Sequence, residues 1–255
     1  MTEIRGIYTL WLREVKRYLR DRARIVSSFF QPLLWLVIFG SGLRFSASAL
    51  ALGNLTYQQY IFPGIIGQTL LFTSMFMGIS VIWDREFGFM KEIMVAPISR
   101  FSVFLGKMLG DSTDAVIQGM IVFALGVLLG IRLDLLTFLE ALPVMVLITF
   151  GLVSIGLTVA SFIDSLESFG VIQSFINLPL FFLSGALFPI RGDVPNWLQI
   201  VSSFNPLTYG IDALRTIILG NAWQSLNPLY FNLLIVCAFD TVMMTIGTLA
   251  FSKRK

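Results

Sequence analysis

Six apolar stretches punctuate the chain, at residues 25–43, 60–83, 102–131, 141–163, 168–190 and 229–251. Each approaches or exceeds the roughly 20 residues that a helix needs to cross a hydrocarbon core of about 30 Å. Four of them hold no charged residue, and the last is interrupted only by Asp240. The third differs: its uncharged core begins at Ala115, while Lys107, Asp111 and Asp114, at helical spacing, mark a polar leading end expected to pair within itself as a rim. The pattern predicts an all-α membrane protein of six transmembrane helices, a single domain over 1–255.

Three segments have a different texture. Over 1–24, Ile7, Leu10, Trp11, Val15, Tyr18 and Leu19 recur at helical spacing with Arg13, Lys16, Arg17 and Arg20 interleaved. This predicts a basic amphipathic helix along a lipid surface, cations toward anionic headgroups. Twenty-four residues ahead of a 19-residue core also mark 25–43 as a retained span, since a secretory signal has a shorter apolar core. The connection 84–101 carries Asp84, Arg85, Glu86, Lys91, Glu92 and Arg100 around Gly88, with Phe87, Phe89, Met90, Ile93, Met94 and Val95 before a stop at Pro97. A short helix charged on one side and aromatic on the other suits docking into a groove of a soluble protein.

The stretch 195–221 is too polar to span and too apolar to be a free loop. Trp197, Ile200, Val201 and Phe204 fall on one face of a short helix, and Asn205 with Pro206 reads as the cap and first turn of another. There Leu207, Ile211, Leu214 and Ile218 form a stripe, with Thr208, Asp212 and Arg215 opposite and Asp212 three residues from Arg215, near enough to pair. Two re-entrant half-helices on the outer face are expected.

Charge sets the orientation. Of 18 Lys and Arg, fourteen lie before the first span, between the second and third, or in the tail; Arg44, Arg132, Arg191 and Arg215 fall on the other side. The positive-inside rule then puts both termini in the cytoplasm and the chain in a plasma (inner) membrane as a multi-pass protein. The net charge of +3 conceals that asymmetry. Composition agrees, with 56% hydrophobic and 13% charged residues. The absence of histidine removes imidazole catalysis, and a lone Cys237 leaves no thiolate metal cluster, so metal sites and intramembrane proteolysis are not expected, nor is nucleic-acid binding.

Asp240 is the costly residue inside the membrane, by about 2.5–3.5 kcal/mol on insertion scales. A hydrogen bond to a Ser or Thr of a neighbouring span is expected, with an ion or proton relay as the other reading. That relay is the basis of the alternative function, an ion-coupled secondary transporter, which would need further intramembrane ionisable groups and repeated halves. Phe72, Met75, Phe76 and Ile79 form an apolar ridge on the second span able to line a path for an amphipathic substrate.

Four landmarks carry a resemblance. Tyr60–Gly64 reads YIFPG, Asp84–Gly88 reads DREFG with Ala96-Pro97 following, Leu183–Pro189 reads LSGALFP, and Asn205–Arg215 reads NPLTYGIDALR. In that order, on six spans, the whole chain resembles the permease subunits of the type-2 ABC exporter family, which includes drug, nodulation-factor and polysaccharide exporters. The resemblance implies a homodimer or heterodimer of permeases, each seated on an ABC ATPase subunit that holds ATP and Mg; this chain has no phosphate loop of its own. It further implies that Asp84, Arg85, Glu86, Phe87, Gly88, Glu92 and Pro97 couple to the ATPase, braced by Arg13, Lys16, Arg17 and Arg20. Asn205, Pro206, Tyr209, Asp212 and Arg215 would belong to the extracellular gate, and Phe72, Met75, Phe76 and Phe182 to the substrate path.

Overall fold

A computed structural model describes residues 2–42, 55–129, 131, 134–190 and 194–253. Helices account for nearly all of them: α1 (Thr2–Arg20), α2 (Arg22–Gly42), α3 (Tyr57–Phe76), α4 (Ile79–Glu86), α5 (Phe89–Val95), α6 (Arg100–Leu125), α7 (Leu135–Phe162), α8 (Leu166–Phe182), α9 (Asn196–Ser203), α10 (Pro206–Leu219) and α11 (Leu229–Lys253). Among the described residues four rods are long and apolar enough to cross a membrane: Tyr57–Glu86, Arg100–Leu125, Leu135–Phe162 and Leu229–Ser252. Arg44, Arg132, Arg191, Arg254, Lys255 and the end of the first expected span at Leu43 lie outside the described residues.

Local chemistry sets the boundaries. Thr56 and Gln59 form a reciprocal capping box that starts α3, and Ser99 and Ser165 cap α6 and α8 through their hydroxyls. One expectation needs correction. The fifth stretch, 168–190, is helical only to Phe182; Ser184 Oγ then donates to Phe181 O and accepts from Ala186 N, and Gly185 takes a positive φ of 71°, which ends the helix. The second stretch stands as one rod, Tyr57–Glu86, interrupted only in its hydrogen-bond pattern at Met77–Gly78, where α3 gives way to α4 and both residues keep right-handed helical dihedrals.

The rod α3–α4 sits at the centre, packed by α6, α7, α8 and α10. One core cluster joins α2, α3, α6, α7 and α10 around Tyr60, Phe62, Leu70, Phe181 and Ile211. A second, at the α1 end, joins Leu10, Ile82, Phe104, Leu157, Phe169 and Phe251. The apolar face of α1 is part of that second cluster: Leu10 and Tyr18 are buried, and Trp11 Nε1 donates to Thr113 Oγ1 at 3.0 Å. The expectation that this face meets lipid is thereby corrected, because Gly106 and Gly110 leave α6 room to receive Leu10 and Glu14.

Gly78 shows what the interruption in the central rod requires. A methyl group there would lie 2.4 Å from the carbonyl oxygen of Gly156 on α7, against rigid backbone. Gly78→Ala therefore pushes α4 off α7 and should cost about 1–3 kcal/mol. Gly170→Ala, where nothing lies within 4 Å, should be neutral or slightly stabilising. Thermal unfolding of the two purified variants checks the contrast.

Candidate functional site

At the α1 end, three helices converge on one ammonium. Lys107 of α6 is wholly buried, and its Nζ lies 2.6 Å from Asp84 Oδ2 of α4 and 3.1 Å from Glu14 Oε1 of α1. Arg13 closes on Asp84 with both guanidinium nitrogens and approaches Glu14 at 3.5 Å. Burial works against the Arg13 charge, but the hydrogen bond and charge of Asp84 and the charge of Glu14 outweigh it and raise its pKa. Arg17 stacks over the Trp83 ring at 4.7 Å and reaches Glu14 at 3.8 Å. The arrangement extends the expected rim beyond α6: Lys107 forms salt bridges with Glu14 of α1 and Asp84 of α4, and the charge of Asp111 on its own helix adds to them.

Asp84 and Arg85, both placed by sequence in a docking loop, point inward. Asp84 is buried in the network just described, and Arg85 donates to the carbonyls of Ala160 and Ile163 and pairs with Asp164 at 3.1 Å. A cation there meets the last carbonyls of α7, the negative end of that helix. Glu86, Phe87, Lys91, Glu92 and Pro97 are exposed instead, Phe87 and Val95 at 75% and 85%. Gly88 turns the chain between α4 and α5 with φ 78°, a left-handed conformation in which nothing crowds it. Underneath, Met90, Ile93 and Ile98 pack on the core, and Arg13 lies 5.1 Å from the Phe89 ring. Glu3 of α1 accepts from Ser99 N and Oγ at the start of α6, and hydrogen bonds from Ser102 and Ser99 hold its carboxyl below the usual range. Lys16 and Arg20 remain exposed.

The opposite end is organised by α10. Asn205 caps it, Oδ1 accepting from Leu207 N at 3.0 Å while Nδ2 donates to Leu180 O, and Pro206 occupies the first turn. The expected stripe of Leu207, Ile211, Leu214 and Ile218 is buried, but so are Thr208, Asp212 and Arg215. Asp212 and Arg215 do not serve each other. Arg215 donates to the carbonyls of Tyr60, Gly185 and Ala186 and lies 3.9 Å over the Tyr60 ring, with Trp223 at 5.3 Å. Asp212 gathers the chain ahead of α11, accepting from Trp223 Nε1, Ser225 Oγ, the amides of Leu226 and Asn227, and Asn232 Nδ2. Tyr209 is half-buried and donates to Ser203 O at 2.7 Å. On α9 the expected apolar face, Trp197, Ile200, Val201 and Phe204, is exposed, and Leu198 is buried in its place.

Between the two ends, Phe76 and Phe182 are exposed, Phe72 is half-buried, and Met75 is fully buried at α7, so the ridge does not present Met75 to a path. Asp240 of α11 lies against Gly151, where a methyl group would come within 2.3 Å of its Oδ1. Neither carboxylate oxygen has a hydrogen-bond partner among the described residues, which corrects the expected Ser or Thr bond. Sequence reasoning also missed Glu14, although the signal was present: it falls midway between Leu10 and Tyr18 at intervals of four, on the apolar face of α1.

A family profile described as ABC-2 type transporter matches residues 5–219. The chain is 32% identical over 264 aligned positions to the transport permease ycf38 of Cyanophora paradoxa, covering 98% of this chain and 89% of that one. It is 27% identical over 201 positions to Nodulation protein J of Rhizobium leguminosarum bv. trifolii, covering 78% and 75%. Against the multidrug ABC transporter permease YbhR of Escherichia coli (strain K12) it is 28% identical over 186 positions, covering 69% of this chain and 49% of that one.

Two substitutions test the two ends. Lys107→Met leaves Glu14 and Asp84 buried without their shared cation and should cost about 3–5 kcal/mol. Adding Glu14→Gln and Asp84→Asn should restore part of that loss, read as unfolding temperature in detergent. Arg215→Lys keeps the charge but loses the planar stack on Tyr60 and the fork of donors to three carbonyls; a loss of about 2 kcal/mol is expected by the same assay.

Proposed function

The chain belongs to the ABC-2 type transporter family as a permease, and we propose that it is the membrane-spanning part of an ATP-driven exporter whose ATPase is a separate subunit. In this reading it spans the plasma (inner) membrane six times with both termini cytoplasmic, pairs with a second permease copy, and moves a hydrophobic or amphipathic substrate outward. ATP and Mg belong to the ATPase, and this chain transmits force. Its substrate extends no further than that chemical class, since the relatives carry names as different as nodulation and multidrug transport.

The observation that carries the coupling assignment is α5 together with the turn before it: Phe89 and Val95 of this short helix and Phe87 at the end of α4 are exposed beside Glu86, Lys91 and Glu92, while Met90 and Ile93 fix the other side of α5 to the core. Exposed aromatics on a rigid base, rimmed by charge, have the character of a docking element. A push on α5 reaches α4 through Gly88. It also reaches α6 through the Ser99 start, where Glu3 ties in α1. Because Lys107, Asp84 and Glu14 bind α6, α4 and α1 into one charge-paired unit, these three move together rather than past one another. The interruption at Met77–Gly78 is where such a unit tilts relative to α3. At the other end, the Arg215 and Asp212 bonds join α10 to α3 and to the approach of α11, and this is the gate in the proposal.

Glu86→Lys with Phe87→Asp alters only exposed groups. Co-expression with the ATPase should give a variant that is folded and membrane-inserted, yet recovers at least about tenfold less ATPase on purification, the loss expected when a central anchor of a docking surface is removed. A variant that retains its full complement of ATPase places coupling elsewhere.

A further inference from the structure

Partway along α2, α3 and α6, polar side chains stand in otherwise apolar rods. Gln31, Trp35, Gln68, Phe72, Thr73 and Gln118 line a cleft of about 30 Å³ between these three helices. Part of the set is satisfied internally, for Thr73 Oγ1 donates to Gln118 Oε1 at 2.9 Å. The amide nitrogens of Gln68 and Gln118 have no partner among the described residues, although each residue is only 5% exposed. Turned over, the Gln118 amide would give its nitrogen to Thr73 Oγ1 and its oxygen to the cleft, an acceptor that a hydroxyl ligand meets as well, and the Gln68 donor is unaffected. Donors buried among hydrocarbon without an acceptor are costly, and helices in a bilayer have no bulk water to supply one.

The dimensions and chemistry narrow the occupant. A site needs about 10–15 Å³ to hold one water, so the cleft admits a single polar group, with at most a companion water, and excludes a whole sugar or phosphate headgroup. None of its lining residues is charged, so an ion would enter it without an opposite charge to offset its desolvation. The open groups are N–H donors, which call for an acceptor oxygen. Gln31 is exposed at the mouth and Trp35 and Phe72 are half-buried, so an attached chain can lie outside along α2 and α3. The buried Phe181 ring fixes both aromatic walls, at 5.9 Å from Trp35 and 6.2 Å from Phe72.

We propose that this cleft binds the uncharged oxygen group, an ester carbonyl or a hydroxyl, of an amphipathic molecule, with Gln68 and Gln118 as its donors. The inference rests on the chain being a membrane-embedded permease and is independent of the ATPase-coupling assignment, since its test needs no ATPase.

Monoolein, which carries an ester and two hydroxyls on one chain, serves as the probe. Binding to the purified permease is counted by native mass spectrometry over a range of monoolein concentrations, for wild type and for Gln68→Met with Gln118→Met. The double variant should bind roughly tenfold more weakly, as expected for two lost hydrogen bonds. Without monoolein the unfolding temperature of Gln68→Met alone should equal or exceed that of wild type, because an unmade bond is removed while the Thr73–Gln118 bond is left in place. Unchanged binding overturns the proposal; so does a drop in the unfolding temperature of Gln68→Met, which would make that glutamine structural. Gln68→Met alone answers the same question if the double variant is poorly expressed. The source of the oxygen is separated by a competition in phosphatidylcholine nanodiscs. Displacement of monoolein supports resident lipid esters as the natural occupant, and retention supports a transported molecule.

Discussion

The ammonium of Lys107, enclosed between α1, α4 and α6, imposes a condition on everything around it. A charge removed from water is tolerable only when opposite charge reaches it with good geometry, and here that charge comes from two different helices. Asp84 can serve only if α4 ends where it does, and Glu14 only if α1 lies on α6 closely enough for its carboxylate to pass Gly110. The interrupted central rod, the glycines of α6 and the docking of the N-terminal helix are therefore parts of one arrangement. Its outer layer, Arg13 and Arg17 over Phe89 and Trp83, continues from the charged interior to the exposed helix α5.

Arg215 solves the corresponding problem differently. Among the described residues no carboxylate reaches it at salt-bridge distance, although the charge of Asp212 acts on it; the carbonyls of Gly185 and Ala186 past the end of α8 and that of Tyr60 take its donors, and the Tyr60 ring takes the plane of the guanidinium. Lysine, a compact point charge, suits the carboxylate pair at one end, and arginine, flat and forked, suits carbonyls and a ring at the other. Asp212 is then released to collect backbone amides from the segment leading into α11.

What could be read in the sequence follows how local each signal is. The apolar stretches, the Asn205–Pro206 helix start and the position of α5 depend on neighbours within a turn or two, and they stand close to where the pattern put them. The fifth stretch misled because hydropathy does not register Gly185, whose left-handed backbone ends the helix within an apolar run. Asp84 and Arg85 misled because their charge alone suggested exposure, whereas their partners Lys107 and the end of α7 lie far along the chain. Asp212 and Arg215 looked like a pair because spacing allows it; the competing partners Tyr60, Gly185 and Trp223 come from elements that spacing cannot bring together. Asp240 has no such explanation: Gly151 accounts for its space, but among the described residues no Ser or Thr meets its carboxylate.

The Glu14–Lys107 bond also has a bearing on how the chain is made. Its two ends are separated by 93 residues, which at translation rates of about 5–20 residues per second puts roughly 5–20 s between their synthesis. Through that interval α1 carries a carboxylate on the face it will later bury, without the Lys107 ammonium that encloses it there. Helix α1 is thus among those that cannot settle until α4 and α6 have followed it, so the order of emergence from the ribosome and the order of packing are not the same.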